Sequence, residues 1–269
     1  SSSSSSRSMR RGPSRAKSPS HSRMTTQPAI LLNADLGESP EALRSGRDDE
    51  IAAHCDIINI ACGGHAGTTA SMHHFIALAG ARNIRISAHP SYPDRANFGR
   101  VALDIPSTRL ADSLRAQLTD FGAIAASLNV PVRHIKPHGA LYHQVGTNAD
   151  LARLFASLCH NLLPTASLIL QANAATLPLL AQLGTPVLTE AFADRTYEPD
   201  GSLRSRELPE ALLTSPAQIA SQISTLIAGP LKFETLCLHA DTPNALELIS
   251  IARSTLDSTQ GPIRSFPDE

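Results

Sequence analysis

The sequence predicts an α/β protein built as a single seven-stranded parallel (β/α) barrel of TIM-like plan. From residue 29 onward, short runs rich in Ile, Val and Leu each lead into a polar cluster and then a longer helical pattern, the alternation that lays strands parallel. The runs are apolar throughout rather than alternating, as strands covered on both faces must be. Seven such units over about 230 residues suit a closed barrel at least as well as an open doubly wound sheet, and no composition break or flexible linker divides them.

Taken in order, the expected strands run over 29–34, 56–61, 84–88, 132–136, 167–171, 186–190 and 234–238. Among the helices between them, 108–128 has the clearest pattern: Leu110, Leu114, Leu118, Phe121 and Ile124 recur at three- and four-residue steps and form one apolar stripe. The helix over 148–160 opens on Asn148 as N-cap. The one over 215–227 opens on Pro216, whose fixed φ and missing N–H suit the first helical position. The barrel is expected over 29–256 with a tail over 257–269. Residues 1–28 begin with six serines, hold eleven by position 22 and offer almost no apolar periodicity, so a disordered basic leader is expected there. That leader also resembles an organellar transit peptide in composition but lacks an amphipathic apolar face, and Met24 is an alternative start; a cytoplasmic location is the expectation.

The formal net charge of −1 is an average of two unlike parts. Six of the 23 basic residues (Arg7, Arg10, Arg11, Arg15, Lys17, Arg23) precede Asp35, the first acid, so 17 basic residues face 24 acidic ones in the remainder, a net of −7. A body that acidic argues against nucleic acid as a partner. No apolar run approaches the roughly 18–20 residues of a membrane span. The four cysteines, Cys55, Cys62, Cys159 and Cys237, fall in no C-x-x-C pair, which fits buried thiols in a reducing compartment.

The chemistry lies at the strand ends. The first strand runs into Asp35 and Glu38, the second into His65 among three glycines, the third into His89, the fourth into Lys136 and His138, the sixth into Asp194 and Arg195, and the seventh into His239 and Asp241. In a parallel barrel these ends share one face, where such barrels place their active sites. Histidines suit proton transfer near neutral pH and metal ligation; paired carboxylates suit acid/base work. Lys136 stands out because only Lys17 and Lys232 accompany it in the chain; at a strand mouth it can stabilise an oxyanion or neutralise a carboxylate. Arg195 is a candidate carboxylate anchor. His73 and His74 fall within a helical stretch and read as packing or surface residues, while His54, His134, His143 and His160 carry no assignment. The chain holds no G-x-x-x-x-G-K-[ST], no G-x-G-x-x-G after a strand and no G-x-S-x-G. Hydrolysis or ring opening of an amide fits this equipment, with metal assistance available to Asp and His ligands.

Six strings, NADLGES (33–39), NIACGGHAG (59–67), SAHPSYPD with NFGR (87–100), HIKPHGALY (134–142), EAFADRTYEPDGSLRSR (190–206) and CLHADTP (237–243), resemble the successive signatures of the LamB/YcsF family of 5-oxoprolinase A subunits, in the family's order. The resemblance implies a barrel related to glycoside hydrolases and deacetylases, and an ATP-dependent opening of 5-oxo-L-proline to L-glutamate. B and C subunits would act as partners that supply nucleotide-dependent activation; a homo-oligomer is compatible with this. It marks Asp35, Glu38, His65, His89, Lys136, His138, Asp194, His239 and Asp241 as candidate catalytic positions. Asn33, Asn59, Tyr92, Arg100, Tyr142, Arg195 and Arg206 are the candidate substrate contacts. The family usually carries Cys, Phe and Asp where Ala34, Gly64 and Thr68 stand, Gly at Ala240, and GFGRR where residues 97–101 read Asn-Phe-Gly-Arg-Val.

The expected mechanism has Arg195, helped by Lys136, anchoring the ring carboxylate or activated oxygen. Asp35 or Glu38, with His65 or His138, directs water at the lactam carbonyl, and a histidine protonates the departing nitrogen. Two alternatives stand beside it: a metal-dependent amidohydrolase or deacetylase with Asp35, His65 and His138 as ligands, and a non-catalytic subunit that shelters 5-oxoproline.

Overall fold

The computed structural model describes residues 29–206 and 208–261; the leader expected over 1–28 and the tail beyond 261 lie outside the described residues. Seven strands, β1 (Leu31–Leu36), β2 (Ile57–Ala61), β3 (Arg85–His89), β4 (Val132–Ile135), β5 (Ser167–Gln171), β6 (Val187–Phe192) and β7 (Thr235–Cys237), close into a barrel in sequence order. Every neighbouring pair is parallel, and β1 closes on β7 with Leu31 opposite Thr235 and Asn33 opposite Cys237. The barrel is the fold that the alternating pattern predicts, and all seven strands fall where the apolar runs place them. β1 and β6 each run about two residues further than expected, so Asp35 belongs to a strand rather than to the loop after it.

Nine helices surround the barrel among the described residues: α1 (Pro40–Ser45), α2 (Arg47–Ala52), α3 (Thr69–Arg82), α4 (Ser107–Ser127), α5 (Gly139–Thr147), α6 (Ala149–Leu162), α7 (Leu177–Gln182), α8 (Pro216–Ala228) and α9 (Ala245–Gln260). Their starts are written locally. Ser39 accepts from Ala42 N ahead of Pro40, Asn148 accepts from Asp150 N and Leu151 N, and Thr68–Ser71 and Ser215–Gln218 form reciprocal capping boxes. α4 buries the stripe read from sequence, with Leu110, Leu114, Leu118 and Phe121 turned inward. α9 continues past the boundary expected at 256: the Gln260 side chain accepts from Ile30 N and donates to Ile30 O, clasping the chain just before β1.

The core divides in two. The larger part lies between barrel and helices, around Phe75, Phe121 and Phe155; a small plug of Leu31, Ile57 and Ile169 closes the barrel interior from below. Above the plug the inward positions turn polar, and it is this layer that the site grows from. The four cysteines are free and buried, and burial pushes the Cys62 and Cys159 thiols up to about 12, as inert packing groups.

Candidate active site

The floor of the site is a connected polar layer inside the barrel, centred on Lys136 at the end of β4. Its Nζ lies 3.1 Å from Asp35 Oδ1, 3.0 Å from Glu190 Oε1, 3.3 Å from Asn33 Oδ1 and 3.1 Å from Cys237 Sγ. Asn59 donates to Asn33 Oδ1 at 2.7 Å and to Asp35 Oδ1 at 2.8 Å; Asn33 donates to Glu190 and Thr235; Tyr142 OH donates to Glu190 Oε2 at 2.8 Å. Burial opposes the ammonium, but Asp35, Cys237 and Glu190 outweigh it and hold the Lys136 pKa well above the usual value. Burial likewise opposes the Asp35 charge, and Lys136 and His89 outweigh that to keep it well below the carboxylate range. The pair is therefore ammonium and carboxylate at neutral pH, so Lys136 acts as a fixed positive charge and not as a base.

Beside the floor stand three histidines and Glu38. His65 Nε2 is 2.8 Å from Glu38 Oε1, and His138 Nδ1 lies 3.2 Å from the same oxygen and 3.0 Å from His89 Nε2. The outer nitrogens of two rings meet backbone carbonyls: His89 Nδ1 faces Lys136 O at 2.7 Å, and His138 Nε2 faces Phe98 O at 2.9 Å. His65 stacks on His138 with centroids 3.6 Å apart, and its Nδ1 is buried without a partner. Burial drives the His65 pKa down to about 4, while Glu38, despite burial, is held low by His138 and His65. The loop before α4 braces the group, because Gly139 adopts φ 56° and a Cβ there would come within 2.6 Å of Gly99 O. Asp48 of α2 steadies the other side by accepting from Gly37 N at 3.2 Å.

Across the mouth, His239 is oriented by Asp194. Its Nδ1 lies 3.0 Å from Asp194 Oδ1, its backbone N donates to Asp194 Oδ2, and Thr242 Oγ1 donates to the same oxygen at 2.6 Å. An imidazole nitrogen of His239, a carboxylate oxygen of Asp35 and Cys237 Sγ lie within 4.8 Å of one another. Burial raises the Asp194 pKa, but His239 and Thr242 override it, so the orienting group is an anion. The β6–α8 loop folds back through paired bridges, Arg195 with Leu212 and Tyr197 with Leu203, and sets Arg195 against the cavity wall. Arg195 is 5% exposed; it donates to Arg204 O at 2.6 Å and its Nε has no partner, while burial and Arg206 pull its pKa down. That is an under-compensated cation facing a polar cavity. Asp241 ties Arg100 to the rim, with Arg206 3.9 Å away.

A cavity of about 480 Å³ joins these parts. Asp35, Glu38, His89, Lys136, His138, Tyr142, Arg195, Arg206, His239, Arg100 and Asp241 line it. Five sequence candidates do not. Asn33 and Asn59 belong to the floor's hydrogen-bonded layer: their amide nitrogens donate to Glu190 and Thr235 and to Asn33 and Asp35, Asn33 Oδ1 lies 3.3 Å from Lys136 Nζ, and Asn59 Oδ1 is buried without a partner. Tyr92 turns away to Gln144, His65 sits behind Glu38 with no exposed side chain, and Asp194 reaches the cavity through His239. The acid that gathers His65 and His138 is Glu38; Asp35 instead turns to Lys136 from within β1. Sequence reading gave no role to Glu190, His143 or Phe192. Glu190 was legible as the end of the sixth strand; His143, one residue past Tyr142 on α5, carried no signal.

A seven-stranded (β/α) barrel with a buried carboxylate–ammonium floor and an Asp-oriented histidine at its mouth has the architecture of a barrel hydrolase. Residues 30–269 match the family model described as LamB/YcsF family, and the chain belongs to that family. It is 37% identical over 254 residues to the 5-oxoprolinase A subunit of Chloroflexus aggregans, which covers 88% of this chain and 98% of that protein. Against a 5-oxoprolinase A subunit of Agrobacterium fabrum it is 36% identical over 252 residues, covering 90% and 99%. Among solved structures, a lactam utilization protein from Thermus thermophilus superposes with a TM-score of 0.80 at 29% identity, covering 88% of this chain and all of that one.

Proposed function

We propose that this chain is the A component of a 5-oxoprolinase, binding 5-oxo-L-proline in the barrel cavity and opening its ring to L-glutamate in an ATP-dependent reaction with B and C partner subunits. The observation that carries the reading is Asp35, fixed as an anion by Lys136, facing His239, fixed by Asp194, across one cavity. Family membership and relatives named as 5-oxoprolinase A subunits supply the substrate. No phosphate loop occurs in the sequence, which is why nucleotide handling is assigned to the partners.

The lactam is a resonance-stabilised amide, so water attacks it slowly. Phosphorylating the carbonyl oxygen at the expense of ATP drains electron density from the carbon. Arg195 pairs with the ring carboxylate, turning the lactam toward the floor. Asp35 takes a proton as water adds to the carbonyl carbon. The ring C–N bond then breaks with its electron pair on nitrogen, and His239 supplies the proton that nitrogen needs. The acyl phosphate left behind is hydrolysed to glutamate and phosphate. Lys136 stabilises negative charge at the floor throughout.

The test is glutamate release from 5-oxoproline and ATP by the chain with and without B and C partners. Turnover should require the partners and collapse in Asp35→Asn and His239→Gln. Wild-type rates in both variants, or full turnover by the chain alone, would overturn the assignment.

A further inference from the structure

We propose that Glu38, His65, His89 and His138 form a binding site for one divalent transition-metal ion of the zinc class. The proposal goes beyond the ring-opening reading and does not need it. One ligand atom from each residue lies within 4.8 Å of the other three. Glu38 Oε1 lies 2.8 Å from His65 Nε2, 3.2 Å from His138 Nδ1 and 3.7 Å from His89 Nε2, and the last two nitrogens are 3.0 Å apart. Zinc bonds of about 2.0–2.1 Å in a tetrahedron put ligand atoms about 3.3–3.5 Å apart, close to the spacings among Glu38, His89 and His138; His65 is stacked parallel on His138, so its ring must turn out of that stack to aim its nitrogen at the same ion.

The direction of the lone pairs favours an ion most strongly. Each of His89 and His138 points its outer nitrogen at a backbone carbonyl, which accepts only, so each outer nitrogen carries the hydrogen. In the neutral rings, both inner nitrogens then present lone pairs to each other across 3.0 Å. Two acceptors at that distance need a cation between or beside them. A carbonyl on the far nitrogen is also how metal-bound histidines are held and made more basic. Glu38 adds a carboxylate kept ionised, and three buried imidazoles with one carboxylate suit zinc or cobalt over magnesium or calcium, which prefer oxygen ligands. His65 lacks the outer hydrogen bond of the other two rings and is the weakest ligand of the set.

The competing arrangement is a lone proton shared by His89 and His138, and the experiment separates the two. The full chain, stripped with a chelator and dialysed, is titrated with Co²⁺ and read by visible absorption, then with Zn²⁺ in competition. One equivalent per chain with the intense bands of tetrahedral cobalt, displaced by Zn²⁺, is expected. His138→Gln and His89→Gln should weaken binding at least about 10-fold, His65→Gln should weaken it less, and His74→Gln, whose ring pairs with Asp49 on the surface, should leave it unchanged. X-ray absorption of the zinc-loaded wild type, which needs no variant to fold, should show three imidazoles and one oxygen. No saturable cobalt spectrum from folded protein, or fewer than three imidazoles at the zinc, would overturn the proposal. Neither readout uses substrate or partners, so failure here leaves the glutamate assay standing.

Discussion

Lys136 shows what one residue contributes that its neighbours cannot replace. A buried amine alone sheds its proton, and this one keeps it because Asp35 and Glu190 sit about 3 Å away. Replacing it in Lys136→Met leaves two buried carboxylates without a counter-charge, so urea denaturation should show a loss of about 3–5 kcal/mol, well above an ordinary core substitution. A loss below about 1 kcal/mol would mean that water reaches the floor. Asp194 is the second residue whose effect passes through another. Asp194→Asn keeps the shape but cannot hold the same tautomer of His239, and kcat for glutamate release should fall about 10²–10⁴-fold with KM nearly unchanged. A KM effect of equal size would recast Asp194 as part of the binding surface. Lys136 was legible in the sequence through scarcity and its place at a strand mouth. Asn33 and Asn59, expected as substrate contacts, lie outside the cavity lining, because polarity in a strand shows only that a residue faces something polar, not whether that is ligand or its own neighbour.

At the scale of elements, the apolar runs marked all seven strands because both faces of a barrel strand are buried and the signal is continuous. The loops were less legible. Which histidines share a pocket depends on how the segment 97–100 crosses to α5, where Ala140 N donates to Gly99 O, and no periodicity records a crossing of that kind. Gly64 shows the same coupling between loops. A Cβ there would lie 2.4 Å from Ser91 Oγ and 2.6 Å from Gln117 Oε1, and Gln117 is held by bonds to Ser91 N and O. Gly64→Ala should therefore destabilise by about 1–3 kcal/mol, and in a double-mutant cycle with Gln117→Ala the two losses should fall short of additive. Strict additivity would show that the β2–α3 loop moves away without disturbing α4.

At the scale of the whole barrel, His134 is a titrating liability away from the cavity mouth. His134 lies two residues before Lys136 on β4, hence on the same strand face, opposite Ser87 and Ser167, and both of its ring nitrogens are buried without a partner. Burial first, then the guanidinium groups of Arg85 and Arg133, push its pKa down to about 3 from the ordinary 6.5. The unfolded chain takes up this proton as pH falls through 6.5 and the folded chain does not until about pH 3, so His134 weakens the fold over that window. The slope approaches about 1.4 kcal/mol per pH unit, or roughly 2 kcal/mol between pH 7 and pH 5. His65, lowered to about 4, acts in the same direction, while His89, raised by Asp35 against the effect of burial, opposes it. Asp35 and Asp194, whose folded pKa values are depressed, add their loss only at lower pH, as the unfolded carboxylates begin to protonate near 4. His134→Leu keeps an apolar bulk and removes the proton acceptor. Its urea-unfolding free energy should drop between pH 7 and pH 5 by about 2 kcal/mol less than that of the wild type. An identical drop in the two proteins would show that the folded barrel protonates His134 as readily as water does, and that the closed floor admits solvent from below.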